Sequence, residues 1–113
     1  MSREGGIEAG RRLVAEGLAG TDAVVAANDL IAVGVLRAFR EAGVSVPAEV
    51  SLTGFDDIRL AVNVTPRLTT VALPLAYAGT EAIRLALGDP GPVTHVTVEG
   101  RLVVRDSTAE RAR

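Results

Sequence analysis

Short apolar runs alternate with amphipathic stretches along this chain, and no other feature limits its possible folds as strongly. Residues 23–27 form an uninterrupted apolar run, which is typical of a strand buried on both faces. Residues 29–42 then place apolar side chains at helical spacing, and Gly43 is suited to end that helix in a left-handed conformation. A second strand is predicted at residues 50–55. This alternation predicts an α/β domain with a mostly parallel, doubly wound sheet flanked by helices.

The remaining predicted elements are a first helix at 7–19, a short or irregular helix at 58–64, a strand at 68–73, a helix at 75–87, and strands at 93–98 and 102–104. The chain therefore opens with a helix that has no strand before it. Because a doubly wound sheet normally begins with a strand, we expect the chain to be a piece of a larger protein. We expect residues 1–6 to be a disordered or added start, residues 7–105 to form the domain, and residues 106–113 to be a flexible tail.

The composition excludes several kinds of functional site. With no cysteine and a single histidine, His95, the chain cannot form a disulfide framework, a thiol nucleophile or a multi-histidine metal site by itself. All twelve basic residues are arginine, and without lysine there is neither a P-loop phosphate grip nor a Schiff base. A net charge of −2 and 3% aromatic residues argue against a nucleic-acid-binding surface. No apolar run reaches the roughly 18–20 residues that cross a bilayer, so we expect a cytoplasmic protein with no membrane partner. We also expect no cofactor, because none of the usual cofactor-binding motifs is present.

Polar side chains follow two of the predicted strands directly. Asn28 and Asp29 come after the first strand. Asp56 and Asp57 come after the second. Because the carboxyl ends of parallel strands lie at one edge of a sheet, both pairs should lie where such folds bind ligands. Carboxylate and amide groups suit the hydroxyls of a polyol such as a sugar. Simpler roles are also open: either pair could cap the following helix or set a turn.

Catalysis finds little support in these residues. Asp56 and Asp57 could act as acid and base, but adjacent side chains tend to point in different directions. His95 lies in a predicted strand with no nucleophile beside it, and Ser51 and Ser107 lack the context of a nucleophile elbow. No glycine-rich dinucleotide fingerprint follows a strand. We therefore expect a protein that is not an enzyme.

Five segments, in order and at matching spacing, resemble the effector-binding region of LacI/GalR transcriptional repressors. They are residues 26–34 (AANDLIAVG), 46–47 (VP), 50–57 (VSLTGFDD), 65–71 (TPRLTTV, with Pro74 following) and 102–108 (LVVRDST). The resemblance extends over nearly the whole chain from Ile7 onward. It implies one lobe, the C-terminal subdomain, of a two-lobed sensor with a periplasmic-binding-protein-like fold.

The resemblance also implies which side chains bind the effector. In this family the asparagine of the first segment and the first aspartate of the third do so, and they match Asn28 and Asp56. Asp29 and Leu73 complete the candidate site. The family often has glutamine at the position of Leu73, so this chain would offer one polar contact fewer. The implied partners are a small-molecule effector, a sugar or a related metabolite, and DNA through an N-terminal domain outside this chain.

Similar repressors form homodimers through the outer face of the second helix and the segment that leads to the Thr-Pro pair. The matching residues are Val33, Arg37, Leu60, Val62 and Val64. Val33 and Arg37 are four residues apart and so share one face of the helix. An alternative is that the valines fill the core of the domain itself.

The leading interpretation is the effector-sensing and dimerising lobe of a LacI-type DNA-binding regulator. One alternative is a lobe of a periplasmic sugar-binding transport protein, which shares the fold and the Asn-Asp and Gly-Phe-Asp motifs. The runs at residues 68–71 and 104–108 favour the repressor. A small α/β enzyme such as a sugar hydrolase rests only on the aspartate pair.

Overall fold

The computed structural model describes residues 1–88, 91 and 95–111. Over these residues helices and strands alternate as the sequence predicts, in the order α1 (Arg3–Glu16), β1 (Ala23–Val25), α2 (Asp29–Glu41), β2 (Ser51–Thr53), α3 (Leu60–Asn63), β3 (Thr70–Ala72), α4 (Leu75–Ala86) and β4 (Arg101–Val103). Of the strand predicted at 93–98, residues 93 and 94 lie outside the described residues, and residues 95–98 form no strand.

The four strands pair into a mostly parallel arrangement. β1 and β2 run parallel to each other. Beyond them, parallel bridges join Thr53 to Thr69 and Asp56 to Ala72, which places β3 beside β2 in the same direction. β4 pairs antiparallel with β3. The order of the neighbours is therefore β1, β2, β3 and β4, with β4 as an antiparallel edge strand, and the predicted mostly parallel sheet is confirmed.

The hydrophobic core lies between α2 and the strands. α2 buries one stripe that includes Val35 and Phe39, and its opposite face carries the exposed Arg37. Leu52 in β2 and Leu68 just before β3 are fully buried in the same cluster. Burying a side chain of this size stabilises a fold by about 1.5–3 kcal/mol. This packing holds the N-terminal end of α2 against the ends of β1 and β2.

The first helix begins earlier than the sequence suggested. The Ser2 Oγ accepts a hydrogen bond from the Gly5 amide at 3.1 Å and so caps α1. α1 crosses α2 so closely that a Cβ atom on Gly34 would overlap with the Arg3 carbonyl oxygen, and Gly6 is buried at the same crossing. The expectation of a disordered start at residues 1–6 is therefore wrong. Residues 3–6 are helical because their first turn is capped and packed on α2.

The expectation of a flexible tail from residue 106 is also wrong, because the segment inserts between β2 and β3. Ser107 is completely buried. Its Oγ donates to the Leu52 carbonyl at 2.6 Å and accepts from the Thr69 amide at 2.8 Å. The Leu52 amide in turn donates to the Ser107 carbonyl at 2.9 Å. Residues 106–108 thus belong to the domain, and residues 112 and 113 lie outside the described part.

Two apolar surfaces stay uncovered within the described residues. The prediction that the first strand is buried on both faces is wrong, since the Val25 side chain in β1 is 79% exposed. α4 has no buried residue, and Leu75, Ile83 and Leu87 are exposed along it. The radius of gyration is 17.3 Å, compared with about 13 Å for a compact chain of this length, so the molecule is elongated. No helix in residues 1–88 or 95–111 is long and apolar enough to cross a membrane.

Candidate functional site

The two polar pairs lie at the same edge of the sheet, because the start of α2 is bonded to the loop after β2. The Asp29 amide donates to the Phe55 carbonyl at 2.9 Å. That bond joins the peptide between Asn28 and Asp29 directly to the peptide between Phe55 and Asp56. The arrangement follows from the topology, since β1 and β2 are parallel neighbours and each runs into its polar pair.

Asn28 caps α2, so the capping role that the sequence left open is confirmed. Its Oδ1 accepts from the Ile31 amide at 2.9 Å. Its Nδ2 lies 4.0 Å from the Met1 Sδ, a weak acceptor, and the residue is only half-buried. The cap therefore occupies the carbonyl oxygen of the side chain and leaves the amide hydrogens available for a stronger acceptor.

Asp56 sits exposed in a strained turn. Its φ angle is 114° and that of Asp57 is 56°, and two consecutive left-handed residues other than glycine each cost about 1–3 kcal/mol. The backbone is held by a bond of 3.0 Å from the Asp56 amide to the Val71 carbonyl. In the described part of the chain the Asp56 carboxylate has no hydrogen-bond or ion-pair partner. Strain of this kind concentrates at binding sites, and here it presents an unpaired carboxylate to solvent.

Asp57 is anchored, in contrast to its neighbour. Its Oδ1 lies 2.7 Å from the Arg105 Nη2, and the two side chains are only 23% and 15% exposed. Arg105 also donates to the Leu68 carbonyl at 3.0 Å. The ion pair therefore ties the turn to the segment that follows β4, and of the two aspartates only Asp56 is free to receive a ligand.

Asp29 is fully buried and does not face the open edge. Its Oδ2 accepts from the Ile58 amide at 2.9 Å, and its Oδ1 accepts from the Thr70 hydroxyl at 2.5 Å. The expectation that Asp29 contacts the effector is wrong, because a ligand cannot reach a carboxylate that is fully buried within the domain. Gly54 makes the enclosure possible, since a Cβ atom there would overlap with the Asp29 Oδ1.

Leu73 completes the edge on the side of β3. It directly follows Ala72, which bridges Asp56, and its side chain is half-buried. Its carbonyl accepts from the Leu75 amide at 2.9 Å at the start of α4. The position thus adds apolar surface close to Asp56 and no polar side-chain group.

Sequence reasoning missed the residues that support this edge, namely Thr70 and Arg105. Both stand in segments that resemble the family, but Thr70 lies inside a strand, and Arg105 follows an edge strand that runs antiparallel, so neither is at the carboxyl ends of the parallel strands where ligand-binding residues were sought. A hydroxyl or guanidinium beside a buried carboxylate becomes visible only once the chain is folded. In the described residues no three His, Cys, Asp or Glu side chains are grouped so that they could hold a metal ion.

The expected dimerisation residues lie along α2 and α3, and we call them the α2–α3 surface: Val33, Arg37, Leu60, Val62 and Val64. The Val62 side chain is 47% exposed, and Val33 and Leu60 are half-buried. Val64 packs partly against the core, so for this one residue the core-filling alternative holds in part. A cleft of about 500 Å³ separates the two helices, and Val33, Arg37 and Val64 line it.

One ion pair orders the polar side of this surface. The Arg37 Nε donates to the Glu41 Oε1 at 3.0 Å, and Arg11 lies 3.3 Å from the other carboxylate oxygen. The bond from Arg37, followed by that from Arg11, holds the pKa of the Glu41 carboxyl below its ordinary value. Arg37 is thus oriented along the exposed face of α2.

Comparison with known proteins gives consistent results. Residues 2–108 match the periplasmic binding protein-like domain. The HTH-type transcriptional regulator MalR of Streptomyces coelicolor is 42% identical over 106 residues, which cover 88% of this chain and 31% of MalR. The chain spans about a third of the length of the first curated relatives that it matches.

Solved structures agree with the sequence relatives. A LacI family transcriptional regulator from Arthrobacter sp. FB24 in complex with lactose has a TM-score of 0.83 and 34% identity, over 96% of this chain and 42% of that chain. A LacI family regulator from Enterococcus faecium with bound ribose has a TM-score of 0.81 and 31% identity, over 96% of this chain and 41% of that chain. These relatives are regulators rather than transport proteins or enzymes. The chain belongs to the LacI family of transcriptional regulators, as part of its periplasmic-binding-protein-like, effector-binding domain.

Proposed function

We propose that this chain is the effector-sensing and dimerising lobe of a cytoplasmic LacI-type regulator, and that its effector is a sugar or a related small polar metabolite. The observation that carries the proposal is the exposed Asp56 carboxylate, which has no partner in the described part of the chain and stands on the loop that is hydrogen-bonded to the start of α2, where Asn28 lies. A carboxylate can accept from two adjacent hydroxyls, while an amide N–H donates to a hydroxyl or ring oxygen. Lactose and ribose are bound by related regulators, which supports this class of effector.

Leu73 limits which effectors would fit the site. It places an apolar side chain where a polar contact could stand, so the effector would present a less polar face, such as the C–H face of a sugar ring, on that side. Burying a polar group without a partner costs about 1–3 kcal/mol, which disfavours a ligand hydroxyl against Leu73. Asn28 and Asp56 then supply the directional contacts and Leu73 the apolar one.

A second lobe would complete the site. The edge that carries Asn28 and Asp56 is open in this chain, and α4 presents an apolar face with Leu75 and Ile83 exposed. Apolar surface of this kind is usually covered in stable proteins, and further polypeptide of the same regulator would cover it here. The acidic net charge of −2 supports DNA binding through another part of that polypeptide.

The α2–α3 surface is our proposed dimer interface. Val62 is exposed, Val33 and Leu60 are partly exposed, and Arg37 is oriented at the rim by Glu41. An apolar centre surrounded by a polar rim is typical of protein–protein interfaces. A two-fold axis would place each copy of the surface against its counterpart.

The effector proposal is tested by calorimetric titration of the complete gene product with a panel of sugars that includes lactose and ribose. Asp56→Asn should weaken the binding of the effector about 10- to 100-fold, since an amide accepts at one oxygen instead of two. Asp22→Asn is the matched control, because Asp22 is an exposed carboxylate that pairs only with Arg111 among the described residues. Unchanged affinity in Asp56→Asn would remove Asp56 from the site, and no binding by any sugar would overturn the proposed effector class.

A further inference from the structure

The turn at residues 56–58 needs an external restraint. Asp56 and Asp57 both adopt left-handed φ angles, 114° and 56°, which side chains other than glycine rarely adopt. A free loop would relax from this conformation, and the carboxylate of Asp56 would then sample many directions. The bond from the Asp56 amide to the Val71 carbonyl holds one side of the turn. The other side, at residues 57 and 58, needs restraints of its own that leave the Asp56 carboxylate without a partner in the described part of the chain.

The buried carboxylate of Asp29 holds the turn through hydrogen bonds on its interior side. One of its carboxylate oxygens accepts from the Ile58 amide at 2.9 Å. The other accepts from the Thr70 hydroxyl, whose oxygen in turn lies 3.4 Å from the Asp57 amide. Both oxygens of one buried side chain are thus directed at the same turn, one directly and one through Thr70.

Arg105 holds the turn from the other side. Its guanidinium pairs with the Asp57 carboxylate at 2.7 Å, and both side chains are largely buried. Residues 57 and 58 are therefore fixed by their backbone amides and by the Asp57 side chain. Asp56 is the one carboxylate of the group that keeps no partner in the described part of the chain.

The chemistry of the restraint calls for a carboxylate at position 29. The Ile58 N–H and the Thr70 O–H are both donors, so the side chain between them needs two acceptor oxygens. Asparagine has the same shape but would turn an NH₂ group toward one of the donors. Room for the carboxylate comes from Gly54, where any Cβ atom would overlap with it.

We propose that Asp29 is a positioning residue for effector binding, which acts with Thr70 and Arg105 to hold the 56–57 turn so that the Asp56 carboxylate faces the ligand. This inference rests on the proposed function of Asp56. Asp29 touches no ligand, and its effect reaches the site only through the geometry of the turn.

Hydrogen exchange of the complete gene product, read by mass spectrometry over peptides that contain residues 56–58, tests the restraint without any ligand. In Asp29→Asn these amides should exchange at least about tenfold faster, because the Ile58 amide loses its acceptor or meets a donor. Peptides from α1 and the middle of α2 should exchange as in the parent protein. Asp22→Asn should change none of these rates.

Two results would overturn the positioning role. Unchanged exchange at residues 56–58 would show that Asp29 does not restrain the turn. Faster exchange throughout α2 and β2 would show a general stabilising role instead. If Asp29→Asn does not fold, Thr70→Val and Thr70→Ser decide the question: the valine variant should accelerate exchange at residue 57, and the serine variant, which keeps the hydroxyl, should restore the parent rate.

Titration with lactose and ribose separates this inference from the proposed function. Asp29→Asn should weaken the binding of whichever sugar the parent protein binds by about tenfold, less than or equal to the effect of Asp56→Asn. Weaker binding by Asp56→Asn together with parental affinity and exchange in Asp29→Asn refutes only the positioning role. Parental affinity in Asp56→Asn refutes the proposed role of Asp56, whatever the exchange rates show.

Discussion

Replacing Ser107 with alanine should destabilise the domain by about 2–6 kcal/mol. The serine hydroxyl satisfies the Leu52 carbonyl and the Thr69 amide at 2.6 and 2.8 Å, and Leu52, Thr69 and Ser107 are all buried. Each buried backbone group left without a partner costs about 1–3 kcal/mol. The alanine variant leaves two such groups, and the loss of one oxygen atom creates too little space for a water molecule to replace the hydroxyl.

The measurement is urea denaturation of the complete gene product, followed by circular dichroism at 222 nm. With a denaturant dependence of about 2 kcal/mol per molar urea, the midpoint should fall by about 1–3 M. Ser45→Ala is the matched control, because Ser45 is exposed and surface changes of this kind stay within about 0.5 kcal/mol. A midpoint for Ser107→Ala within 0.3 M (about the effect of a surface change) of the control would refute the reasoning.

Three further outcomes are expected. Gly34→Ala should lower the free energy of unfolding by about 1–3 kcal/mol in the same assay, because its Cβ atom would overlap with the Arg3 carbonyl. A higher free energy of unfolding, as expected from the better helix propensity of alanine alone, would contradict this overlap. Arg67 lowers the pKa of Asp106 from its ordinary value of 3.8, so their pair should stabilise the fold above that pH and lose its effect below it; Asp106→Asn should remove this dependence from a pH series of unfolding midpoints. Val33→Glu should shift a dimer toward monomer in sedimentation velocity at tens of micromolar, and equal dimerisation by both proteins would exclude Val33 from the interface.

The order of the elements could be predicted from the sequence because it depends on local periodicity. Both the apolar run at residues 23–27 and the helical spacing after it can be recognised from the order of residues along the chain. The proximity of Asn28 and Asp56 could also be predicted, since parallel strands end at one edge. These inferences need only the topology of the sheet and no knowledge of side-chain packing.

The roles of individual side chains at that edge could not be predicted in the same way. Asn28 and Asp29 are adjacent and equally polar, yet one caps α2 at the surface and the other is buried beneath the turn. The difference depends on the rotation of α2 and on the absence of a side chain at Gly54, which is 25 residues away in the sequence. Burial of β1 was likewise inferred from composition, whereas Val25 is exposed because no described element covers that strand.

The insertion of Ser107 between β2 and β3 sets the timing of folding during synthesis. Its partner Thr69 lies 38 residues earlier in the chain and Leu52 lies 55 residues earlier. At about 5–20 residues per second, the Thr69 amide therefore waits about 2–8 s for its acceptor to be synthesised. During that interval the nascent chain carries an incomplete sheet whose unpaired backbone groups can pair with another chain. The sheet of this domain is therefore completed only after Ser107 has been synthesised, and its edge at Leu52 and Thr69 stays open until then.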